Sequence, residues 1–115
     1  MGKFKFTETG IEGMFVVEPT VFEDNRGYFM ETYNEAKFHE LGITNVFVQD
    51  NQSMSVKGVL RGLHFQKNFP QTKLVRVING AVFDVAVDLR PGSPTFGRHV
   101  SVVLTGDNKH SLYIP

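Results

Sequence analysis

The sequence predicts an all-β fold, a mostly antiparallel sandwich or barrel that carries one short helix. Short apolar segments recur from one end of the chain to the other, and Gly, Pro, Asn and Asp separate them. The 115 residues include 11 Phe and are 41% hydrophobic, which is enough for one core. We therefore expect a single domain over residues 1–115. The predicted strands lie near Met14–Val17, Tyr28–Tyr33, Val46–Val48, Lys73–Ile78, Ala81–Leu89, His99–Leu104 and Leu112–Ile114.

The predicted helix covers Asn34–Leu41. Asn34 is a favourable N-cap residue, and Phe38 and Leu41 form a short apolar face. Gly42 then accepts the left-handed conformation that commonly ends a helix.

A tight hairpin is predicted where Asn79-Gly80 separates Lys73–Ile78 from Ala81–Leu89, because this dipeptide favours a two-residue type I′ turn. In that register Lys73 and Asp84 become diagonal neighbours on one face. The hairpin therefore predicts a lysine and a carboxylate on a shared surface.

Composition excludes several classes of protein. The 12 basic and 12 acidic residues cancel, so no net field attracts nucleic acid or an anionic membrane. The absence of Cys excludes a disulfide framework, a thiolate zinc site and a Cys nucleophile. Neither a signal peptide nor a run of 18 apolar residues is present. These features predict a soluble cytoplasmic protein.

Polar side chains interrupt the apolar segment Gly58–Gln66 at Arg61, His64 and Gln66. Strict alternation in a strand would place Arg61 and His64 on opposite faces. A shared pocket therefore requires either a bulge, for which Gly62 is suited, or a position of Arg61 at the entrance of the strand. The alternative for His64 is a hydrogen-bonded structural role, which is common for a single histidine.

Two further groups of residues have polar side chains at strand spacing. Gln49 and Asn51 alternate onto one face, where they offer neutral donors and acceptors. Phe29 and Glu31 share a side of the strand that follows a turn near Arg26. Both groups have a simpler interpretation as solvated faces of a sheet. Their number in a chain rich in Phe and Val favours a ligand-lined interior.

The order and spacing of these residues, from about Gly10 to Pro115, resemble the dTDP-4-dehydrorhamnose 3,5-epimerase family. The motifs that carry the resemblance are Phe22-x-Asp24-x-Arg26-Gly27-x-Phe29-x-Glu31, Phe47-Val-Gln49-Asp50-Asn51-x-Ser53, Gly58-Val-Leu-Arg61-Gly62-Leu-His64-Phe-Gln66, Lys73-Leu-Val-Arg76-Val, and Asp84-Val-Ala-Val-Asp88-Leu-Arg90-x-Gly-Ser-Pro-Thr-Phe-Gly97. The resemblance implies a cupin-like double-stranded β-helix, or jelly-roll barrel, that is incomplete at its C-terminal end.

The resemblance also implies an activity and roles for individual residues. The activity is epimerisation of dTDP-4-dehydro-6-deoxyglucose at C3 and C5, in the dTDP-rhamnose biosynthesis that supplies cell-wall polysaccharide and lipopolysaccharide. His64 matches the family's general base, and Lys73 matches the residue that stabilises charge on the C4 oxygen. The implied substrate contacts are Arg61, Gln66, Gln49 and Asn51, together with Arg26, Phe29 and Glu31, which reach the neighbouring subunit's site across a homodimer.

The chemistry agrees with those roles. A neutral imidazole is a suitable base for a proton next to a ketone, and a cation at the ketone oxygen stabilises the enolate that forms. From the hairpin register we expect Asp84 to keep Lys73 charged and oriented.

No metal or other cofactor is expected. The metal-binding cupins use two His and a Glu, whereas this chain has His64-x-Gln66, and Lys73 where the family comparison would place the Glu.

Two alternatives remain open. One is a relative that epimerises a single carbon, and the other is an inactive nucleotide-sugar-binding barrel. Family members continue beyond Pro115 with a strand and a Tyr that acts as the acid on the opposite face, and Tyr113 precedes that part. The resemblance therefore implies a chain truncated at its C-terminus, whose own activity is in question.

Overall fold

The computed structural model describes residues 2–68 and 70–115, which form eight strands and one helix. The strands are β1 (Lys5–Glu8), β2 (Phe15–Glu18), β3 (Val21–Asp24), β4 (Gly27–Met30), β5 (Lys73–Arg76), β6 (Ala81–Val87), β7 (His99–Thr105) and β8 (Ser111–Ile114). The helix, α1, covers Glu35–Glu40. The predicted all-β class with one short helix is confirmed.

All strand pairs in these residues are antiparallel and form three sheets. The largest has the order β1-β2-β8-β5, and the others are the pairs β3–β4 and β6–β7. The last strand of the chain, β8, therefore lies in the interior of the largest sheet.

The predicted hairpin between Lys73–Ile78 and Ala81–Leu89 is wrong. β5 pairs with β8, with Val75 opposite Leu112, whereas β6 pairs with β7, with Asp84 opposite Val102. The chain passes from one sheet to another at Asn79-Gly80. Turn chemistry at this dipeptide specifies a change of direction, but the partner of each strand depends on residues far along the chain.

Two apolar clusters occupy opposite faces of the largest sheet, because successive side chains of a strand point to opposite sides. On β2, Phe15 and Val17 belong to one cluster, whereas Val16 belongs to the other. The first cluster is largely aromatic and includes α1. The second packs the sheet against β6 and β7. Its buried residues are Ile11, Met14, Leu104 and Leu112.

The helix begins and ends as predicted. The Asn34 side chain accepts a hydrogen bond from the Lys37 backbone N–H at 3.0 Å, which caps the first turn. Gly42 follows with φ +98°, a conformation that favours glycine. No helix in the described residues is long and apolar enough to cross a membrane.

Phe38 of α1 lies at the centre of the aromatic cluster. It is fully buried, and its ring makes edge-to-face contacts with Phe4, Phe6 and Tyr33 at centroid distances of 4.9, 5.2 and 4.8 Å. Edge-to-face pairs add stabilisation beyond the burial of apolar area. Phe38 therefore connects the helix to the sheet.

The segment between β6 and β7 is organised by the buried carboxylate of Asp88. Its oxygens accept hydrogen bonds from Arg90, Ser93 and Thr95, including contacts of 2.6 Å from each hydroxyl. Arg90 also donates to the backbone oxygen of Glu12 at 2.6 Å. These bonds hold the pKa of Asp88 well below its ordinary value, with Arg90 the largest cause.

Truncating the buried Phe38 side chain should destabilise the protein more than truncating an exposed aromatic side chain. We expect Phe38→Ala to lower the free energy of unfolding by about 3–5 kcal/mol, because it removes buried contacts and leaves a cavity. Phe22→Ala is the matched control, since that ring is 46% exposed. Urea denaturation followed by circular dichroism measures both, and Phe38→Leu serves if the alanine variant does not fold. Equal losses for Phe38→Ala and Phe22→Ala would contradict the central role of Phe38.

Asp88 should make stability depend on pH in acid. Because its pKa is lowered on folding, its contribution is complete above the unfolded value of about 3.9 and is lost as the pH falls toward the folded value. We expect Asp88→Asn to lower the free energy of unfolding at neutral pH. The difference in this free energy between wild type and the variant should become smaller below about pH 5. Asp107→Asn, at an exposed residue, is the control. A constant difference from pH 7 to acid would argue against this role.

Candidate functional site

Lys73 and Asp84 lie on strands that border the second apolar cluster. Lys73 alternates with Val75 on β5, so both side chains leave the same face. Asp84 is opposite Val102, another member of that cluster. The structure therefore brings exposed Lys73 and half-buried Asp84 to the border of this cluster, but from two different sheets rather than from one hairpin.

The two charges interact at this position. Burial raises the pKa of the Asp84 carboxyl, whereas a hydrogen bond from the Val85 backbone and the positive charge of Lys73 both oppose that rise. The two side chains do not form an ion pair within 4.0 Å. The Lys73 ammonium thus lies near enough to stabilise the carboxylate without direct contact.

Arg61, His64 and Gln66 lie in segment 48–68, which is exposed throughout and forms no strand. The predicted strands at Val46–Val48 and within Gly58–Gln66 are therefore wrong, and neither a bulge at Gly62 nor a strand entrance at Arg61 is formed. A strand is defined by a hydrogen-bonded neighbour, and the described residues supply none to this segment. Its apolar side chains are correspondingly open, with Val48 89% and Leu60 90% exposed.

Gly62 is nevertheless important for the position of His64. Its φ is +107°, which favours glycine. A Cβ atom at this position would lie 3.2 Å from Nδ1 of His64. The absence of a side chain at Gly62 therefore leaves room for the imidazole.

Two pairs of side chains in segment 48–68 are joined by hydrogen bonds. Gln49 Nε2 donates to Asn51 Oδ1 at 3.3 Å, so these amides are side by side as the sequence predicts. Arg61 Nε donates to Ser55 Oγ at 2.9 Å. The remaining donors of both pairs face solvent.

Arg26 and Phe29 belong to the hairpin of β3 and β4. The Arg26 guanidinium contacts the Asp24 carboxylate at 2.6 Å, which lowers the pKa of Asp24. Phe29 is 59% exposed. Both residues line a shallow cleft of about 380 Å³ that includes neither His64 nor Lys73.

Glu31 follows β4 and is held by the start of α1. Its carboxylate accepts hydrogen bonds from Lys37 Nζ at 2.8 Å and Asn34 Nδ2 at 3.3 Å. The Lys37 hydrogen bond is the main reason that the pKa of Glu31 is lowered. Within one chain, Glu31 thus has partners that the sequence analysis did not identify.

A connection between β8 and the ends of segment 48–68 was also missed. The Tyr113 hydroxyl donates to Asn45 Oδ1 at 2.6 Å, and Asn45 Nδ2 donates to Thr72 Oγ1 at 3.4 Å. Tyr113 and Asn45 are 68 positions apart, so no local pattern indicates their contact.

Within residues 2–68 and 70–115, no group of three or more His, Asp or Glu side chains is arranged to hold a metal ion. His64, Gln66 and Lys73 also form an unfavourable donor set for a cation, since one imidazole lies near an ammonium in the sequence.

Comparison with known proteins identifies a family and close relatives. The sequence pattern of the family described as dTDP-4-dehydrorhamnose 3,5-epimerase matches residues 8–115. The dTDP-4-dehydrorhamnose 3,5-epimerase of Methanothermobacter thermautotrophicus is 56% identical over 115 residues, which is all of this chain and 62% of that protein. The chain thus spans less than two thirds of the length of this relative.

Solved structures show the same similarity in three dimensions. A crystal structure of dTDP-4-dehydrorhamnose 3,5-epimerase from Elizabethkingia anophelis is 53% identical with a TM-score of 0.91, and the match covers 97% of this chain and 62% of that chain. A second structure, from Legionella pneumophila, contains dTDP-4-keto-L-rhamnose. It is 51% identical with a TM-score of 0.93, and the match covers 97% of this chain and 60% of that chain. The predicted cupin-like fold is thereby confirmed.

Removing the charge of Lys73 should change the titration of Asp84. Because Lys73 opposes the effect of burial, we expect Lys73→Gln to raise the pKa of the Asp84 carboxyl further. Carboxyl carbon NMR over a pH series measures this pKa.

Arg76→Gln is the matched control, because Arg76 leaves the opposite face from Val75 on the same strand. An equal rise of the Asp84 pKa in Lys73→Gln and Arg76→Gln would mean that this pKa depends only on the net charge of the chain.

Proposed function

Because the chain belongs to the dTDP-4-dehydrorhamnose 3,5-epimerase family, we propose that it supplies the base-bearing part of an epimerase for a dTDP-4-keto-6-deoxy sugar. The substrate is dTDP-4-dehydro-6-deoxyglucose, and inversion at C3 and C5 gives dTDP-4-dehydrorhamnose for dTDP-rhamnose biosynthesis. The reaction takes place in the cytoplasm and requires no metal.

One observation carries this proposal, namely that Lys73 of β5 lies near enough to Asp84 of β6, on another sheet, for its charge to act on that carboxyl. Lys73 thus presents an exposed ammonium near a half-buried carboxylate. The 51% identity to a protein solved with dTDP-4-keto-L-rhamnose adds the class of ligand that such a cation would meet.

The proposed reaction begins when His64 removes a proton from the carbon next to the C4 ketone. The C–H electron pair becomes the C=C bond of an enolate, the carbonyl π electrons move to the C4 oxygen, and the proton passes to the imidazole. Imidazole is the side chain that most often serves as a general base in such a step, and His64 is exposed to an incoming substrate. A proton returned to the other face of the same carbon then inverts it.

Lys73 is proposed to stabilise the enolate oxygen. Charge on that oxygen develops only as the C–H bond breaks, so an ammonium held at this place lowers the barrier rather than only strengthening binding. Asp84 is proposed to keep Lys73 protonated and oriented, because its carboxylate interacts favourably with the cation and not with a neutral amine.

The nucleotide part of the substrate is proposed to bind along segment 48–68. Gln49 and Asn51 lie side by side and have free amide groups for the base or sugar. The Arg61 guanidinium uses Nε for Ser55, which leaves its terminal nitrogens for the diphosphate. Gln66, two positions after His64, is proposed to contact the sugar.

A homodimer is proposed to complete each site through the hairpin of β3 and β4. Arg26, Phe29 and Glu31 lie on or directly after this hairpin, and its exposed aromatic side chains also include Phe22 and Tyr28. Exposed aromatic rings of this kind are typical of surfaces that are covered by a partner.

A second candidate is a barrel that binds nucleotide sugars without epimerising them. It is favoured by one observation, that the chain spans 62% of the length of the Methanothermobacter thermautotrophicus relative. In the proposed reaction, His64 removes the proton and a different group returns one to the opposite face. Proton removal and inversion are consequently two separate properties, which one experiment can measure together.

The test follows dTDP-4-dehydro-6-deoxyglucose by proton NMR in deuterated water. We expect deuterium to enter at C3 and C5 in the presence of the protein, and His64→Ala to slow this exchange by about 100-fold or more. His99→Ala is the matched control, because His99 lies on β7 opposite Val87 and away from segment 48–68.

Each outcome identifies one function. Exchange at both carbons with an inverted product supports the 3,5-epimerase, and exchange at one carbon indicates a single-site relative. Binding without exchange indicates the nucleotide-sugar-binding barrel. Exchange at an unchanged rate in His64→Ala would refute the role of His64.

A further inference from the structure

Tyr113 begins a chain of hydrogen bonds that joins three parts of the fold. Its hydroxyl donates to Asn45 at 2.6 Å, and Asn45 donates to Thr72 at 3.4 Å. Tyr113 belongs to β8, whereas Asn45 and Thr72 lie 27 positions apart on either side of segment 48–68. The two ends of that segment are thus connected to one strand of the largest sheet.

The place of this connection is significant for the proposed site. Thr72 directly precedes Lys73, the first residue of β5. Lys73 in turn pairs with Ile114 of β8. Asn45 precedes Phe47, whose ring contacts Tyr33 of the aromatic cluster at 5.3 Å. Between Asn45 and Thr72 lie four residues of the proposed site, namely Gln49, Asn51, Arg61 and His64.

The Tyr113 side chain is itself held firmly. Only 6% of the residue is exposed, and its ring packs in the aromatic cluster. Burial raises the pKa of its hydroxyl, and the neighbouring Thr72 hydroxyl opposes that rise. A neutral buried hydroxyl with a short hydrogen bond fixes the direction of its acceptor, because solvent cannot readily replace it.

We propose that Tyr113, Asn45 and Thr72 are positioning residues that hold the two ends of segment 48–68 together and thereby fix His64 in relation to Lys73. The benefit to catalysis rests on the proposed function, whereas the restraint of the ends of segment 48–68 does not. Fixing the ends of a long segment reduces the conformations that it samples, which favours one geometry of base and cation.

The variant that tests this is Tyr113→Phe, which keeps the ring and removes the hydroxyl. The matched control is Tyr33→Phe, because Tyr33 belongs to the same cluster and its buried hydroxyl has no hydrogen-bond partner in the described residues. Trypsin can report on the segment, since Lys57, Arg61 and Lys67 lie within it. Lys37 in α1 is an internal reference site outside it.

We expect Tyr113→Phe to be cleaved about five- to tenfold faster in segment 48–68, with the rate at Lys37 unchanged, because the loss of one hydrogen bond releases the ends of this exposed segment and lets it adopt more conformations that a protease binds. Tyr33→Phe should be cleaved as slowly as wild type. Equal rates for the two variants would overturn the proposal. An equal acceleration at Lys37 would also overturn it, because it would mean general destabilisation.

Conservative substitution at Thr72 gives a second readout. Thr72→Ser keeps the hydroxyl and should retain slow cleavage, whereas Thr72→Val removes it and should behave like Tyr113→Phe. Titration with dTDP should show weaker binding for Thr72→Val than for Thr72→Ser, and equal affinities would refute a role in the site. Absence of dTDP binding by the wild-type chain would contradict the proposed function, and the cleavage rates would still decide whether these residues hold the segment.

Discussion

The pairing of β8 with both β2 and β5 is the interaction on which the rest of the structure depends. β8 comes last in the chain, yet it joins strands that begin near residues 15 and 73. Ser111, Leu112 and Tyr113, three of its four residues, are buried, so the strand serves as backbone partner on both edges and as core on both faces. A fully buried Leu contributes about 1.5–3 kcal/mol by transfer from water, and Leu112 does so within the second cluster. Without β8, the sheet would separate into β1–β2 and an unpaired β5.

This arrangement also determines the electrostatics of the proposed site. β8 places Lys73 at the end of β5, and the second cluster draws β6 and β7 over the same face of the sheet. Asp84 is thereby half-buried at a place where burial raises the pKa of its carboxyl and the charge of Lys73 opposes that rise.

Features that depend on neighbouring residues were predicted correctly from the sequence, whereas features that depend on residues far apart in the chain were not. The helix was predicted because its signals are local, with Asn34 at the start and Gly42 after the end. The positions of six strands were predicted because alternation is also local. The partners of β5 and β6 were not, since Val75 meets Leu112 and Asp84 meets Val102 through contacts that no short pattern encodes. Lys73 and Asp84 were nevertheless predicted to be neighbours, although the structure brings them together by a different route.

The predictions for segment 48–68 failed for a related reason. Its sequence has the apolar residues of a strand, but a strand also needs a hydrogen-bonded neighbour, and residues such as Leu60 meet none in the described structure. The candidate residues for binding and proton removal are therefore concentrated in the part of the chain with the least support from packing, whereas the cation lies on a paired strand. In an enolate reaction the base must lie within hydrogen-bond reach of the proton while the cation is held at the ketone oxygen. The segment that carries the base and the strand that carries the cation must therefore be held in a fixed relative position. A segment without a neighbouring strand can meet that requirement only if its ends are fixed to the framework that carries the cation, and Tyr113 provides such a connection one strand away from Lys73.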